Sequence, residues 1–339
     1  MANRYWVGGT ASWDTVVGTK WALTSGGAGG QAVPTSADDV FFDANSGAVT
    51  VTINGNSGAK SINCTGFTGT LAGGDQTVSG SLTLVSGMTF SNTGSWTFDG
   101  TGTLISAGKS FTGGAIFVNG VGITVTLGDA CSTSFACVTT NGTFNSAGYN
   151  VTTSSFSSNN NNTRTLALGA SVITCTGTTP VNVGTVTGLT VTGTPTFKCT
   201  SASTKTFTSA GLVFSGATLD QAGAGTLVIQ GSNTLKDITN TYSATGATTI
   251  TFTSGTTQTL TQFTATGTVG KVLTLGASTT SAATLSAASG TISVNYMSIS
   301  YSTATGGATW NAGVNSTDGG NNTGWIFASA STGKFLMFF

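Results

Sequence analysis

The sequence predicts an all-β fold: a single parallel β-helix with coils of about 20–24 residues and distinct N- and C-terminal caps. Three observations carry this. Short runs alternating Thr with aliphatic residues recur along the chain, at Val49–Ile53, Leu82–Leu84, Ile123–Leu127, Thr163–Leu168, Leu189–Val191, Thr249–Phe252, Val272–Leu275 and Thr291–Val294, separated by Gly, Ser, Asn or Asp turns. Units this short cannot bury a core alone and must stack on their neighbours. The composition disfavours helix: of 339 residues 70 are Thr and 50 Gly, Glu is absent, and Lys and Arg together number ten. Finally, Trp collects towards the ends. Trp6, Trp13, Trp21, Trp310 and Trp325 lie in the first 48 or last 39 residues, and none falls between 97 and 309.

Three segments follow in order. Residues 1–48 hold Tyr5, Trp6, Trp13, Trp21, four of the ten Asp (Asp14, Asp38, Asp39, Asp43) and the loop Gly26–Gly30. They form an aromatic, Asp-rich cap or attachment segment. Residues 49–300 are the solenoid. Apolar centres at Leu104, Val125, Phe144, Leu166, Leu189, Leu212, Leu235, Ile250, Leu273 and Ile292 are spaced by 21, 19, 22, 23, 23, 23, 15, 23 and 19 residues. The Asn54-Gly55, Asn119-Gly120 and Asn141-Gly142 pairs suit corners that need positive φ. Residues 301–339 form a C-terminal cap with the turn-rich run 315–322 and the apolar tail Phe335-Leu336-Met337-Phe338-Phe339. A string of immunoglobulin-like sandwiches is the rival fold. It needs about 100 residues per domain and a buried Trp in each, which the Trp-free middle does not supply.

Charge and chemistry are sparse. Charged residues make up 6% of the chain against about 25% in an average soluble protein, and the net charge is zero. No general attraction to nucleic acid or to an anionic membrane is expected. Yet 38% of residues are hydrophobic, more than a disordered chain carries. No stretch approaches the roughly 20 apolar residues of a membrane span. No apolar segment of the signal-peptide kind follows the N-terminal Met1–Gly9, so synthesis in a cytoplasm is expected.

Without His, Ser/His/Asp and Cys/His nucleophile systems cannot be built. A glycosidase needs two carboxylates about 5–10 Å apart. The repeat region offers only Asp75, Asp99, Asp129, Asp220 and Asp237, no two in one local motif. Asp38, Asp39 and Asp43 form the one acidic cluster and read as a turn before Val40-Phe41-Phe42. Asp318-Gly319-Gly320-Asn321-Asn322 lacks the acidic spacing of a calcium loop and reads as a plain turn. Gly26–Gly30 lacks the Lys-Ser/Thr of a phosphate loop and reads as a flexible loop. No metal site and no cofactor is expected. Cys64, Cys131, Cys137, Cys175 and Cys199 are an odd, scattered set without a CxxC, read as buried apolar side chains. Cys175 and Cys199 are close to one coil apart, which leaves a bridge between them open. Thr-x-Thr runs such as Thr50-Val51-Thr52 and Thr249-Ile250-Thr251 turn Thr to one face and would stack into ladders. Thr is also simply a good strand former.

The opening Tyr5-Trp6-Val7-Gly8-Gly9-Thr10, with Trp13-Asp14, Trp21 and Pro34-Thr35-Ser36-Ala37-Asp38-Asp39-Val40-Phe41-Phe42-Asp43, resembles the start of β-helix proteins of tailed phages and prophages. The closing Thr309-Trp310-Asn311-Ala312-Gly313, with Asp318–Phe327, resembles their end. The middle is similar only in its repeat character. The resemblance implies a right-handed parallel β-helix in a virion surface protein, often trimeric. Tailspikes of this architecture cleave glycans with acidic residues on the helix face. The missing Glu and the unpaired Asp keep that activity from being carried over.

The expected function is that of a non-enzymatic virion structural protein, a capsid decoration or fibre subunit on the virion surface. Its expected partners are copies of itself, a trimer being favoured, and other capsid or tail proteins, with weak contact to a host surface glycan. Docking is expected through Tyr5, Trp6, Trp13 and Trp21, and through Phe335, Leu336, Phe338 and Phe339 of the tail. An aromatic cap on the solenoid is an equal reading of the four N-terminal rings. The alternatives are a bacterial adhesin or carbohydrate-binding module, and a tailspike-type glycan depolymerase.

Overall fold

A computed structural model describes residues 2–13, 15–16, 18–55 and 58–328. The chain is nearly all-β, built of parallel stacked coils that make a β-solenoid of about 13 turns. Among the described residues there is no α-helix, only the short 3-10 turns Ala44–Ser46 and Thr241–Ala244. Two compact units divide the chain. One is Met1–Cys199 with Thr208–Ala210, the other Thr200–Phe207 with Gly211–Phe339, and the division falls inside the predicted repeat region.

In the first unit the inward residues stack in register. Val40, Ile62, Leu82, Leu104 and Leu127 form one buried column. Gln76, Trp96, Ile116, Cys137, Phe156 and Val181 form a second. Cys131, Val151, Ile173 and Phe197 form a third, on a different sheet. In the second unit Leu227, Ile250, Leu275 and Ile299 stack in the same way. Burying each aliphatic side chain contributes roughly 2 kcal/mol, whereas a hydrogen bond nets only about 1 kcal/mol. The inward column therefore sets the register. The outward Thr follows it through the two-residue alternation of the strand.

Where the predicted centres share a sheet the register was right in parity and wrong in places by two residues; the step of 19 from Leu273 to Ile292 joins two different sheets, Leu273 pairing with Met297 and Ile292 with Trp310. Val125, Phe144 and Leu166 do stack, but Leu104 meets Leu127, Leu166 meets Val191, and Ile250 meets Leu275. The anomalous step of 15 from Leu235 to Ile250 joins two different sheets: Leu235 pairs with Leu260, Ile250 with Leu227. A slip of two keeps every side chain on its proper face, so alternation alone cannot detect it.

Corners follow the expected chemistry with one exception. Gly55 and Gly142 have φ of 91° and 73°, but in the 119–122 corner the positive φ falls on Gly122, not Gly120. The Gly-rich loop is a close crossing rather than a flexible span. A Cβ on Gly29 would lie 1.9 Å from the Thr19 carbonyl oxygen, so only glycine fits there.

The ends of the described chain are aromatic. Trp6, Trp13, Trp21 and Phe42 pack with centroids 5.0–6.1 Å apart, and Phe67 joins Phe42 at 5.6 Å. Near the C-terminus Ile292, Trp310 and Trp325 stack in register, the two indoles edge-on at 5.2 Å. Their N–H groups donate to the Thr305 carbonyl and the Ser302 hydroxyl, each at 3.0 Å.

Candidate functional site

The N-terminal aromatics sit inside the unit that carries them. Trp6 and Trp13 are 0% exposed and Trp21 1%. These indoles pack against one another inside the unit and leave no exposed face on it. Tyr5 differs: on the other side of the strand Asn3–Trp6 it stacks on Phe41 at 4.7 Å and 14°, half-buried. Phe335, Leu336, Phe338 and Phe339 lie outside the described residues.

The acidic cluster beside the cap is scaffolding. Asp43 Oδ1 accepts from the Asn45 and Ser46 amides at 3.0 and 3.1 Å, and the Ser46 hydroxyl accepts from the Asp43 amide. The same hydroxyl donates to the Trp6 carbonyl at 2.9 Å, which ties the turn to the buried ring. Asp39 binds the Ser61 hydroxyl and pairs with Lys60 at 3.4 Å. Asp38 takes the Ala2 amide at 2.8 Å on one oxygen and the Thr35 amide and hydroxyl at 3.1 and 3.0 Å on the other.

Burial pushes the Asp38 carboxyl pKa up. The bonds from Ala2 and Thr35, with the charge of Arg4, outweigh it and hold the value below the ordinary range. A depressed carboxyl stabilises the fold above its unfolded value, and the contribution is lost as pH falls through the folded value. Asp38→Asn is therefore expected to lower stability at neutral pH and to flatten its loss in acid. Denaturant titrations at neutral and acidic pH check this; equal slopes for both proteins would refute it.

Four of the remaining acids clasp neighbouring coils. Asp75 accepts from the Ser95 amide at 2.7 Å, and Asp129 from the Ser106 and Ala107 amides at 2.8 and 2.5 Å. Asp220 holds both the amide and the hydroxyl of Thr241; Asp237 does the same with Thr264 and adds Gln262. Asp318 closes its turn onto the Gly320 amide and the Asn322 side chain. Asp99 is exposed, and Asp14 lies outside the described residues. Among the described residues no three His, Cys, Asp or Glu side chains gather as a metal site would require.

All five cysteines are buried thiols. Cys175 and Cys199 face each other in register on neighbouring coils. Burial, with the neighbouring Asp129 charge, pushes Cys131 up to about 12, and burial likewise raises Cys64, Cys137 and Cys175. Such thiols are poor nucleophiles. A thiol reagent is expected to label no cysteine in the native protein and all five after unfolding, counted by mass spectrometry.

Two buried cations were missed from sequence. Arg164 is 1% exposed. Its Nε donates to the Ser158 hydroxyl at 2.8 Å. Its terminal nitrogens donate to the carbonyls of Asn162 (2.9 Å), Thr187 (2.6 Å), Ser158 (3.0 Å) and Thr185. Lys205, fully buried in the other unit, donates to the carbonyls of Ser201, Gly223 and Gly225 at 3.0, 3.5 and 2.7 Å. Their signal was parity: Arg164 shares the inward phase of Leu166, and Lys205 that of Phe207.

Two surface clefts stand out among the described residues. One of about 500 Å³ lies by Thr15, Val33, Pro34, Thr35, Gly58 and Thr77; a smaller, more enclosed groove of about 260 Å³ lies by Thr234, Leu235, Thr259, Leu260 and Thr261. Neither lining includes a titratable side chain, so hydroxyls and apolar walls are all they offer.

The fold and these surfaces define a β-solenoid whose acids and buried cations serve its turns. No protein-family model, no curated protein and no solved structure matches the chain.

Proposed function

We propose that this chain is a non-enzymatic structural protein of a tailed-phage particle, a capsid decoration or fibre subunit. It is made in the host cytoplasm and carried on the virion surface. It assembles with copies of itself, as a trimer, and with other capsid or tail proteins, and contacts host surface glycans weakly. The observation that carries this reading is the use of the acids. Asp38, Asp39, Asp43, Asp75, Asp129, Asp220, Asp237 and Asp318 each hold a backbone amide or a hydroxyl in place. In a chain without His or Glu, that commits eight of the ten side-chain carboxyls to architecture.

Two experiments test the proposal. Incubated with host polysaccharide, the protein is expected to release no reducing ends. Turnover abolished by Asp99→Asn would replace the structural reading with a depolymerase. Labelled antibody against the chain is expected to decorate intact particles in electron micrographs. Label on the bacterial envelope instead would favour an adhesin.

A further inference from the structure

We propose that one sheet face of the second unit adsorbs to ice. Its strands Thr257–Leu260, Ala283–Ala287 and Ser302–Gly306 pair parallel and in register. One outward column runs Thr257, Thr284, Thr303, Thr323. A second, two residues along each strand, runs Thr234, Thr259, Ser286, Thr305. Between the columns Gln258, Leu285 and Ala304 point inward, 0%, 0% and 6% exposed, and hold the rungs in phase.

The sequence hides this order. Thr257 to Thr284 is 27 residues, Thr284 to Thr303 is 19, and Thr303 to Thr323 is 20. Loops absorb the differences while the register stays fixed. Thr305 donates to the Leu285 carbonyl at 3.4 Å. Among the described residues the other seven hydroxyls of the array bind no protein group, and all eight positions are half-buried or exposed.

The array repeats at about 4.8 Å between coils and roughly 6.7 Å between alternate residues of a strand. It carries no charged group within its two columns. A discrete small ligand prefers a concave site with convergent polar groups. Apart from the groove beside Thr234 and Thr259, this face is instead a two-dimensional lattice of hydroxyls, each but one beside a methyl. The occupant with repeats in both directions on that scale, and with donors and acceptors at every point, is the oxygen lattice of ice. The hydroxyls take lattice positions, and the methyls keep the water between them ordered. This inference does not depend on where the protein resides.

The test is thermal hysteresis and crystal shape in a nanolitre osmometer with the full chain. Wild type is expected to open a hysteresis gap above that of an equal concentration of albumin and to facet the growing crystal. Thr284→Lys and Thr303→Lys, at the centre of the array, are expected to reduce the gap to the albumin value with circular dichroism and melting unchanged. Thr249→Lys, on the other sheet of the same unit, is expected to leave it intact. Should either central variant melt early, Thr284→Tyr supplies the same steric block. No gap and no faceting in wild type would overturn the proposal. So would a Thr249→Lys variant as inactive as the central ones.

Discussion

Replacing Arg164 with Met is expected to destabilise the first unit by roughly 3 kcal/mol, although no acidic partner is lost. The guanidinium is enclosed and contacts no carboxylate; its counter-charge is a ring of carbonyl dipoles from residues 158, 162, 185 and 187 with the Ser158 hydroxyl. Burial pulls its pKa down from the ordinary value, yet an arginine stays charged in a protein, so the ring must hold a full cation. The bonds join two successive turns of chain, 158–162 and 185–187. Methionine fills the stem volume and strands the carbonyls. Lysine keeps the charge but brings three donors to a site shaped for a planar fork, so Arg164→Lys is expected to recover less than half of the loss. Hydrogen exchange at the Arg164 and Leu168 amides, which bond to the next coil at Gly188 and Thr192, reports the effect locally. Global unfolding of a stacked array need not be two-state, so local readout is the better measure. A Met variant with wild-type protection would refute the account.

The same two cations show where reading the sequence succeeds and fails. The solenoid was legible because alternation is local: Thr50-Val51-Thr52 and Thr249-Ile250-Thr251 declare their inner and outer faces without tertiary information. Register was less legible because Leu104 can meet Val125 or Leu127 without changing face, and only the fixed neighbour decides. Arg164 and Lys205 were passed over because a charge in a strand is ordinarily assigned to solvent, even where parity places it inside. The parity was correct, and the assumption about charge was not. Asp43 and Asp318 were legible as turn residues, whereas Asp39, Asp220 and Asp237 sit within strands. What each one clasps, such as Asp237 holding Thr264 across 27 residues, depends on coil lengths that composition does not reveal.

Trp21→Ala is expected to be the most damaging single change in the N-terminal cap, costing about 4 kcal/mol. Trp21 packs edge-on against Trp6 at 5.0 Å and 83° and against Trp13 at 5.3 Å and 72°, with Phe42 at 6.1 Å. It also joins the antiparallel pair in which it faces Trp6. Removing it opens a cavity among the three remaining rings, Trp6, Trp13 and Phe42. Trp13→Phe is expected to cost far less, because the Trp13 indole nitrogen is buried without a hydrogen-bond partner and its loss leaves nothing unsatisfied. Trp6 is the contrasting case: its indole donates to the Gly9 carbonyl at 2.9 Å, so Trp6→Phe strands an acceptor and falls between the two. The consequence reaches beyond the local cavity. A cap covers strand edges that otherwise offer unpaired amides and carbonyls to other chains. Loss of Trp21 is therefore expected to appear first as concentration-dependent association, with proteolysis beginning in residues 2–55, before the coils further along lose their β signal. Light scattering and limited proteolysis on the three variants give the order Trp21→Ala, Trp6→Phe, Trp13→Phe. If Trp13→Phe proved as damaging as Trp21→Ala, the cap would be held by that nitrogen through a partner, and the packing account of these rings would fail.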